Sequence, residues 1–232
     1  MKRFFLWAFI AFFGSSLSQA QVFKGMLLGG FNLTQVEGDE VYGFNRLGAN
    51  VGAGVFLPID NKWGVSLEAL FTQKGAYQGD QYLQYDSLGE RVTGSYDLRL
   101  DYVEIPVLAH FTDRNRITAG IGFSYSRLIG VTEKEHGKLI ETTTVNNGPY
   151  SKSDYALLGD LRVKLYPSIL LNFRYSYSLS SIRTRDFYNL TGTFLRTREQ
   201  FNSTLTLRLI WMFNDGGLTL SNVNKANNVT EE

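Results

Sequence analysis

The chain contains no cysteine, only four prolines and, beyond residue 20, no long apolar run. The lack of cysteine excludes disulfides, thiolate catalysis and cysteine-ligated metal sites. A membrane-spanning helix needs about 20 consecutive apolar residues, which no segment after the N-terminus provides. The charge is nearly balanced, at 23 Lys and Arg against 22 Asp and Glu, so there is no excess of positive charge to attract nucleic acid. We predict no nucleic-acid partner and no cofactor.

The N-terminus has the layout of a secretory signal peptide. Lys2 and Arg3 precede an apolar run from Phe4 to Phe13, which is too short to anchor the chain. Ser18-Gln19-Ala20 then supplies a small-residue cleavage site. We therefore predict a signal peptide over residues 1–20 and a mature chain that begins at Gln21.

The composition is that of strands and turns, with 23 glycines and an aromatic content of 14%. What recurs along the chain is the alternation of apolar and polar residues, in runs bounded by glycine, proline, asparagine or aspartate. These runs predict eight strands, near residues 24–33, 47–57, 63–73, 98–111, 116–129, 154–166, 169–182 and 201–213.

Short and long connections alternate between these strands. Turn-rich links of a few residues follow the second, fourth and sixth strands, while the other links are long, near residues 34–46, 74–97, 130–153 and 183–200. An antiparallel meander with tight turns at one end and long loops at the other is the plan of an outer-membrane β-barrel, whose long loops are extracellular. An even number of strands leaves both termini in the periplasm.

The distribution of charge decides between a membrane barrel and a soluble one. In the seventh predicted strand, Leu171, Phe173 and Tyr175 alternate with Asn172 and Arg174, so the charge falls on the face that would point inward. A lipocalin-like soluble barrel would reverse this pattern. We predict an all-β protein: an eight-stranded antiparallel transmembrane β-barrel over residues 21–213, followed by a disordered polar tail over residues 214–232.

Seven charged residues on the inward face form a predicted lumen charge network: Glu68, Glu104, Asp160, Arg162, Lys164, Arg174 and Arg208. An eight-stranded barrel is only wide enough for its side chains to fill it. Because unpaired buried charge is very costly, we interpret these residues as a mutually paired plug, with an ion or proton pathway as the alternative. Inward glycines, such as Gly54 and Gly120, would make room for the long side chains.

The fourth predicted strand breaks the pattern, because Leu98 and Leu100 lie in the opposite phase to Val103 and Ile105. Either the first residues of this strand project above the membrane, which we favour, or a β-bulge resets the register. Pro106 removes a ladder hydrogen bond and predicts a local irregularity.

Four short motifs are spread over most of the mature chain: a Gly-Gly-x-Asn first strand, a Gly-Asp loop, a Gly-Phe-x-Arg-x-Gly entry to the second strand and a Tyr-x-Glu-Ile-Pro strand. Their residues are Gly29, Gly30, Asn32, Gly38, Asp39, Gly43, Phe44, Arg46, Gly48, Tyr102, Glu104, Ile105 and Pro106. With these motifs the chain resembles the PorT-like outer-membrane β-barrel family of Bacteroidota. The resemblance implies the fold and the compartment. PorT itself is associated with type IX protein secretion, so a small transport- or secretion-associated barrel is the alternative function.

The sequence offers little support for catalysis. Its histidines are His110, near the periplasmic end of the fourth predicted strand, and His136, in the third long loop. Some eight-stranded outer-membrane barrels modify lipid A with a histidine near the outer rim, but neither histidine here has a serine and a carboxylate at suitable spacing. We predict a non-enzymatic protein, with a lipid-A-modifying enzyme as the less favoured alternative.

The long loops are the remaining functional surface. The fourth loop carries Arg183, Arg185, Arg196 and Arg198. These arginines are either solvated rim residues or a binding surface for lipopolysaccharide phosphates or for another envelope protein. We therefore expect a structural or interaction role, in contact with outer-membrane lipid and lipopolysaccharide.

Overall fold

The computed structural model describes residues 23–39, 41–85, 89, 91–188 and 193–213. The predicted signal peptide and C-terminal tail lie outside the described residues. Twelve strands occur in the described part of the chain: β1 (Lys24–Glu37), β2 (Arg46–Pro58), β3 (Trp63–Gln78), β4 (Gln84–Tyr85), β5 (Arg91–Val92), β6 (Tyr96–Asp113), β7 (Ile117–Glu135), β8 (Lys138–Leu139), β9 (Ser153–Tyr166), β10 (Ile169–Ser178), β11 (Arg183–Tyr188) and β12 (Phe194–Phe213).

The long strands of this set close into a ring. Antiparallel pairing runs in the order β1-β2-β3-β6-β7-β9-β10-β12, and β12 pairs back onto β1 from Gly25↔Phe213 to Glu37↔Phe201. The short strands lie in the long connections, where β4 pairs with β5, β8 with β7 and β11 with β12. The predicted fold is confirmed: the described chain is an all-β, eight-stranded antiparallel barrel.

The connections divide the barrel into two ends. The loop end carries the long connections, and the turn end carries the short ones, at residues 59–62, 114–116 and 167–168. Arg114 and Asn115 both have positive φ, of 46° and 55°, as the central residues of a type I′ turn require, and the Arg116 N–H donates to the Asp113 carbonyl at 3.0 Å. In the first turn, Asp60 Oδ1 accepts hydrogen bonds from the backbone N–H groups of Lys62 and Trp63.

The wall of the barrel is apolar outside and polar inside. Outward residues at mid-height on β7 are large and uncovered, with Ile121 63% and Phe123 62% exposed. Inward residues on the same walls include buried serine, asparagine, arginine and glutamate. This arrangement reverses that of a soluble barrel and suits a lipid-filled surrounding, so the barrel is a transmembrane one.

Within the described residues, no helix has the length and hydropathy needed to cross a membrane.

Several strands extend further toward the loop end than the alternation predicted. Strand β3 reaches Gln78, β6 begins at Tyr96, β7 reaches Glu135 and β12 begins at Phe194. In β3 and β6 the inward alternation continues toward the loop end, where outward residues such as Gln73 and Asp97 are polar, whereas residues 194–199 of β12 are all exposed. A strand whose outward residues are polar does not show the alternation of apolar and polar residues that was used to predict strands. These segments were therefore expected to be loops.

Strand β6 keeps its phase throughout, with its even-numbered residues inward from Tyr96 to His110. A β-bulge lies on β7, where Asp101 pairs with Gly130 and Tyr102 with Leu128, so that Ile129 is skipped. Leu98 and Leu100 point inward at the loop end and are fully buried. The alternative of a β-bulge in this strand is wrong, and the orientation of these residues is not free but is fixed by packing inside the barrel.

Pro106 interrupts the β3–β6 ladder as predicted. The recorded pairs stop at Leu67↔Val107 and resume at Leu70↔Glu104 in the same register. The missing pairs include the position opposite Pro106, which is Glu68. Proline has no backbone N–H group to donate. The interruption of the ladder therefore lies beside Glu68, the lumen acid with the most hydrogen-bond partners.

Leu207 tests the assignment of the outward face. It lies midway along β12, beside Phe31 on β1 and Phe173 on β10, so Leu207→Arg places a cation in lipid near the midplane. We expect this change to lower the free energy of unfolding by about 2–4 kcal/mol, measured by urea unfolding from lipid vesicles. Leu195→Arg is the control, because Leu195 is 58% exposed on the same strand beyond the band. Equal effects of the two substitutions would contradict the assignment.

Candidate functional site: the filled lumen and the loop-end hairpin

A central cluster of charged side chains is built around Glu68 on β3. The Glu68 carboxylate accepts hydrogen bonds from Arg162 Nη2 at 3.0 Å, from Arg174 Nη1 and Nη2 at 2.9 Å and from Arg208 Nη2 at 2.9 Å. The three arginines come from β9, β10 and β12. Glu68 therefore ties four strands together across the barrel interior.

Asp160 is the second acid of the central cluster. Its two oxygens accept hydrogen bonds from Arg162 Nε and Arg174 Nε, both at 2.8 Å. Arg208 instead completes its bonding with the amide oxygens of Asn172, at 2.7 Å, and Asn50, at 3.1 Å. The central cluster is thus Glu68, Asp160, Arg162, Arg174 and Arg208, with three positive and two negative charges.

A second, loop-side cluster consists of Lys74, Glu104 and Asp154. Lys74 Nζ lies 3.2 Å from both Glu104 Oε2 and Asp154 Oδ2. Asn202 donates to Asp154 Oδ2 at 3.1 Å, and Ser126 donates to Glu104 Oε2 at 3.2 Å. With one base and two acids, this cluster carries the opposite net charge to the central cluster.

The structure brings six of the seven predicted lumen residues into these two clusters. Lys164 is half-buried near the turn end and is not among the residues of either cluster. Sequence reasoning missed Lys74 and Asp154, because Lys74 lay in a predicted loop and Asp154 at the edge of a predicted strand. Continuing the inward alternation of β3 from Glu68 to residue 74 would have found Lys74.

Ser66, His110 and Asp160 lie together although they come from three strands. Ser66 Oγ is 2.8 Å from His110 Nε2, and His110 Nδ1 is 4.0 Å from Asp160 Oδ1. These are the residue types of a catalytic triad, but 4.0 Å exceeds a hydrogen bond and both Asp160 oxygens are engaged by arginines. Ser66 and His110 are at most 1% exposed. The geometry is that of a packed polar layer rather than of an accessible nucleophile.

Glycines give these long side chains their space. A Cβ at Gly120 would lie 2.4 Å from His110 Nδ1, and one at Gly54 would lie 3.1 Å from Glu68 Cγ. Real Cβ atoms do not approach other atoms to 2.4 Å, so the imidazole of His110 fits only because β7 has no side chain at Gly120.

Apolar side chains lie between the charged clusters and each end of the barrel. One buried cluster lies mainly toward the turn end and consists of Met26, Leu28, Leu70, Leu170, Ile210 and Met212, with Phe56 against it. The other lies at the loop end and consists of Val36, Ala76, Tyr96, Leu98, Leu100, Tyr102, Leu128, Tyr150 and Ile182. The lumen is therefore layered, with charge in the middle and apolar packing on either side.

At the loop end, beyond the apolar band, Glu133 connects four segments. It is 2% exposed and accepts hydrogen bonds from Tyr96 at 2.8 Å, Thr143 at 2.9 Å, Tyr150 at 3.2 Å and Arg183 at 2.9 Å. Burial acts to raise the pKa of Glu133, but the hydrogen bond from Tyr96 and the charge of Arg183 outweigh it and lower the pKa. Burial raises the pKa of Tyr150 to about 12.

The loop-end hairpin, β11 with β12, carries all four predicted loop arginines on one face. Its register pairs Arg185 with Arg198, and it places Arg183 and Arg196 in the same phase. Arg183 is bound to Glu133, and Arg185 Nη2 lies 3.0 Å from Glu135 Oε1. Arg196 and Arg198 lie on the same face and are exposed. Arg198 also lines a pocket of about 340 Å³ with Glu37 and Asp39.

A family model described as "Outer membrane protein beta-barrel domain" matches residues 18–183. This chain belongs to that family. The match covers most of the barrel, including β1 to β10 and both charge clusters apart from Arg208. A search of curated proteins found no match to the sequence.

Solved structures of small outer-membrane barrels are similar to this family member at low identity. Ail of Yersinia pestis, in complex with the heparin analogue sucrose octasulfate, is 13% identical, with 82% of this chain and 99% of that chain covered and a TM-score of 0.46. Neisserial surface protein A is 12% identical, with 84% and 100% covered and a TM-score of 0.45. OprG from Pseudomonas aeruginosa is 14% identical, with 83% and 97% covered and a TM-score of 0.40. At these values the likeness carries no functional information.

Replacing Glu68 should cost this outer-membrane barrel more stability than replacing Arg208. Glu68→Leu leaves three buried arginines to share Asp160, whereas Arg208→Leu leaves two bases against two acids. We expect Glu68→Leu to cost on the order of 3–5 kcal/mol and Arg208→Leu less, as measured by urea unfolding from vesicles.

The double variant Glu68→Leu/Arg208→Leu provides the control for this comparison. Because the two groups interact directly, their costs should not add, and the double variant should be more stable than the sum of the single effects predicts. Additive costs, or a larger cost for Arg208→Leu, would contradict the central role of Glu68.

The loop end should loosen in acid. The folded pKa of Glu133 is depressed, so its stabilising contribution is complete above the unfolded pKa of roughly 4.3 and is lost as the pH falls through the folded value. We expect residues 140–152 to gain protease sensitivity below about pH 4.3. Glu133→Gln should remove most of this pH dependence, and Glu141→Gln, at an exposed glutamate of the same loop, should not. Unchanged pH dependence in Glu133→Gln would refute the assignment.

Proposed function

We propose that the protein is a non-enzymatic outer-membrane barrel with a structural or interaction role, in which the loop end is the binding surface. The observation that carries this proposal is the filled lumen. Charged side chains there are paired with one another, and apolar layers separate them from both ends. An interior of this kind favours a rigid wall over a conduction path.

The burial of Ser66 and His110 supports the non-enzymatic role. A serine nucleophile must reach its substrate, and these side chains are enclosed within the barrel. Among the described residues, no group of three or more histidine, aspartate or glutamate side chains is placed to hold a metal ion.

The processing and orientation of the chain also belong to the proposal. Residues 1–20 act as a signal peptide and residues 214–232 as a polar tail, while the long loops are extracellular and both termini are periplasmic. The layout of the N-terminus and the separation of long from short connections support this arrangement. A cysteine at Leu139, which is 55% exposed, should then react with an impermeant label on intact cells, and one at Asn61 should not.

PorT-like membership within Bacteroidota is the finer family assignment that we propose. Motif glycines support it through their conformations, since Gly38 and Gly43 have φ of 87° and 97° in the first long connection. Pro106 of the Tyr-x-Glu-Ile-Pro motif lies opposite Glu68, so the motif is built into the wall that holds the central cluster. A secretion-associated role would then be that of a membrane scaffold rather than of a pore.

The exposed arginines of the loop-end hairpin are the proposed contact with lipopolysaccharide phosphates or with another envelope protein. Arg196 and Arg198 lie on one face of the hairpin, and a guanidinium group binds phosphate through paired N–H donors. Arg183 and Arg185 hold that face in position through Glu133 and Glu135.

The variant Arg196→Gln/Arg198→Gln tests this contact. We expect it to bind soluble lipopolysaccharide about tenfold more weakly than the unmodified barrel at low salt, measured with the protein held in lipid nanodiscs. The matched control is Arg114→Gln/Arg116→Gln, which removes the same charge at the turn end, where the Arg114 side chain is 90% exposed. Equal losses in the two double variants would show that only net charge matters and would contradict a specific contact.

A further inference from the structure

Arg127 is a cation on the outer wall of the barrel, at the seam between β7 and β9. Arg127 is exposed and pairs across the seam with Ser153. Below it, toward the turn end, the outward residues of β7 are Tyr125, Phe123 and Ile121. Arg127 is therefore one outward position above a tyrosine and two above the fully apolar band, which is the level of lipid headgroups.

The side chains around Arg127 form an ordered group. The Tyr125 hydroxyl lies 3.2 Å from Ser153 Oγ, and Arg127 Nη1 donates to the same oxygen at 3.3 Å. The rings of Tyr125 and Tyr155 are in contact, with centroids 5.3 Å apart. Tyrosine pairs at the edge of an apolar band mark the membrane interface, so this group has a defined depth.

No described acid lies within ion-pair distance of Arg127. The nearest outward acid along β6 is Asp101, and it is engaged by Gln73 Nε2 at 2.9 Å and by Arg99 Nε at 3.8 Å. Other arginines toward the loop end are paired with acids, Arg46 with Asp97 and Arg185 with Glu135. Arg127 is thus a cation at headgroup level whose counter-charge has to come from outside the described chain.

A second seam of the same barrel repeats part of this arrangement without the arginine. Between β10 and β12 the Tyr175 hydroxyl lies 3.1 Å from Ser203 Oγ, and Tyr177 pairs across the strand with Ser203. The tyrosine and the serine are thus repeated, but Tyr177 stands in the place of Arg127. Its hydroxyl donates to Glu37 at 3.2 Å, so this seam carries an acid where the other carries a base.

We propose that Arg127 binds the phosphate of a membrane lipid, whose acyl chains then cover Tyr125, Tyr155 and Phe123. Phosphate is the anion available at headgroup depth, and guanidinium binds it with two parallel N–H donors. Ser153 and Tyr125 hold the guanidinium at the edge of the apolar band. This lipid site is separate from the loop-end hairpin. It rests on the proposed function in one respect, which is that the barrel is embedded in a membrane containing phosphorylated lipid.

The test uses the mature barrel folded into phosphatidylcholine vesicles that contain a small fraction of bisphosphorylated lipid A. After transfer to a zwitterionic detergent, retained lipid A is counted by native mass spectrometry. We expect Arg127→Gln to retain about tenfold less lipid A than the unmodified protein, and Arg127→Lys to retain an intermediate amount. Arg114→Gln is the matched control and should retain lipid A fully. Heat-modifiable gel mobility verifies that each variant is folded.

Four further results decide the proposal. Retention of dephosphorylated lipid A by the unmodified protein at the same level would overturn it, as would equal retention by Arg127→Gln. Full displacement of lipid A by millimolar inorganic phosphate would assign the site to the free ion and would also overturn it. Loss of lipid A in Arg196→Gln/Arg198→Gln together with full retention in Arg127→Gln would support the loop-end contact and would overturn the site at Arg127.

Discussion

The contact between Glu68 and three arginines is the interaction on which the interior depends. Glu68 receives four hydrogen bonds of 2.9–3.0 Å from residues that are 94, 106 and 140 positions away in the chain. Because these partners come from β9, β10 and β12, the carboxylate joins opposite walls of the barrel. The same acid lies opposite Pro106, where the backbone ladder between β3 and β6 is interrupted.

Charge balance explains why a lumen so rich in ions can be stable. The central cluster has one excess positive charge, and the loop-side cluster of Lys74, Glu104 and Asp154 has one excess negative charge. Four bases therefore face four acids in the two clusters. Each arginine is held by charge-assisted hydrogen bonds, which offset the cost of removing it from water. Buried charge of this kind specifies one arrangement of strands, since a shift of register would separate the partners.

The division into inward and outward faces could be predicted from sequence, because side chains on a strand alternate with a period of two. The inward positions of Glu68, Asp160 and Arg208 follow from that rule alone. The partners of each charge could not be predicted, since they depend on how far neighbouring strands are staggered around the ring. The sequence left both Glu68 and Glu104 as candidate partners for Arg208, and the structure selects Glu68.

The same limit applies at the loop end. Leu98 and Leu100 looked out of phase because apolar residues were expected to face outward. Beyond the apolar band of the barrel, hydrophobicity no longer distinguishes outward from inward residues. The four hairpin arginines were found as a group, but their placement on one face depends on the register of β11 with β12. Sequence spacing also separated Ser66, His110 and Asp160, which the curvature of the barrel brings together.

The central claim is that paired charges and apolar layers fill the lumen. Single-channel recording of the purified barrel in planar lipid bilayers tests this claim most directly. The account predicts no discrete conductance steps for the unmodified protein over the usual range of applied voltage. Reproducible open-channel steps that persist at neutral pH in the unmodified barrel would show a continuous water path and would contradict it.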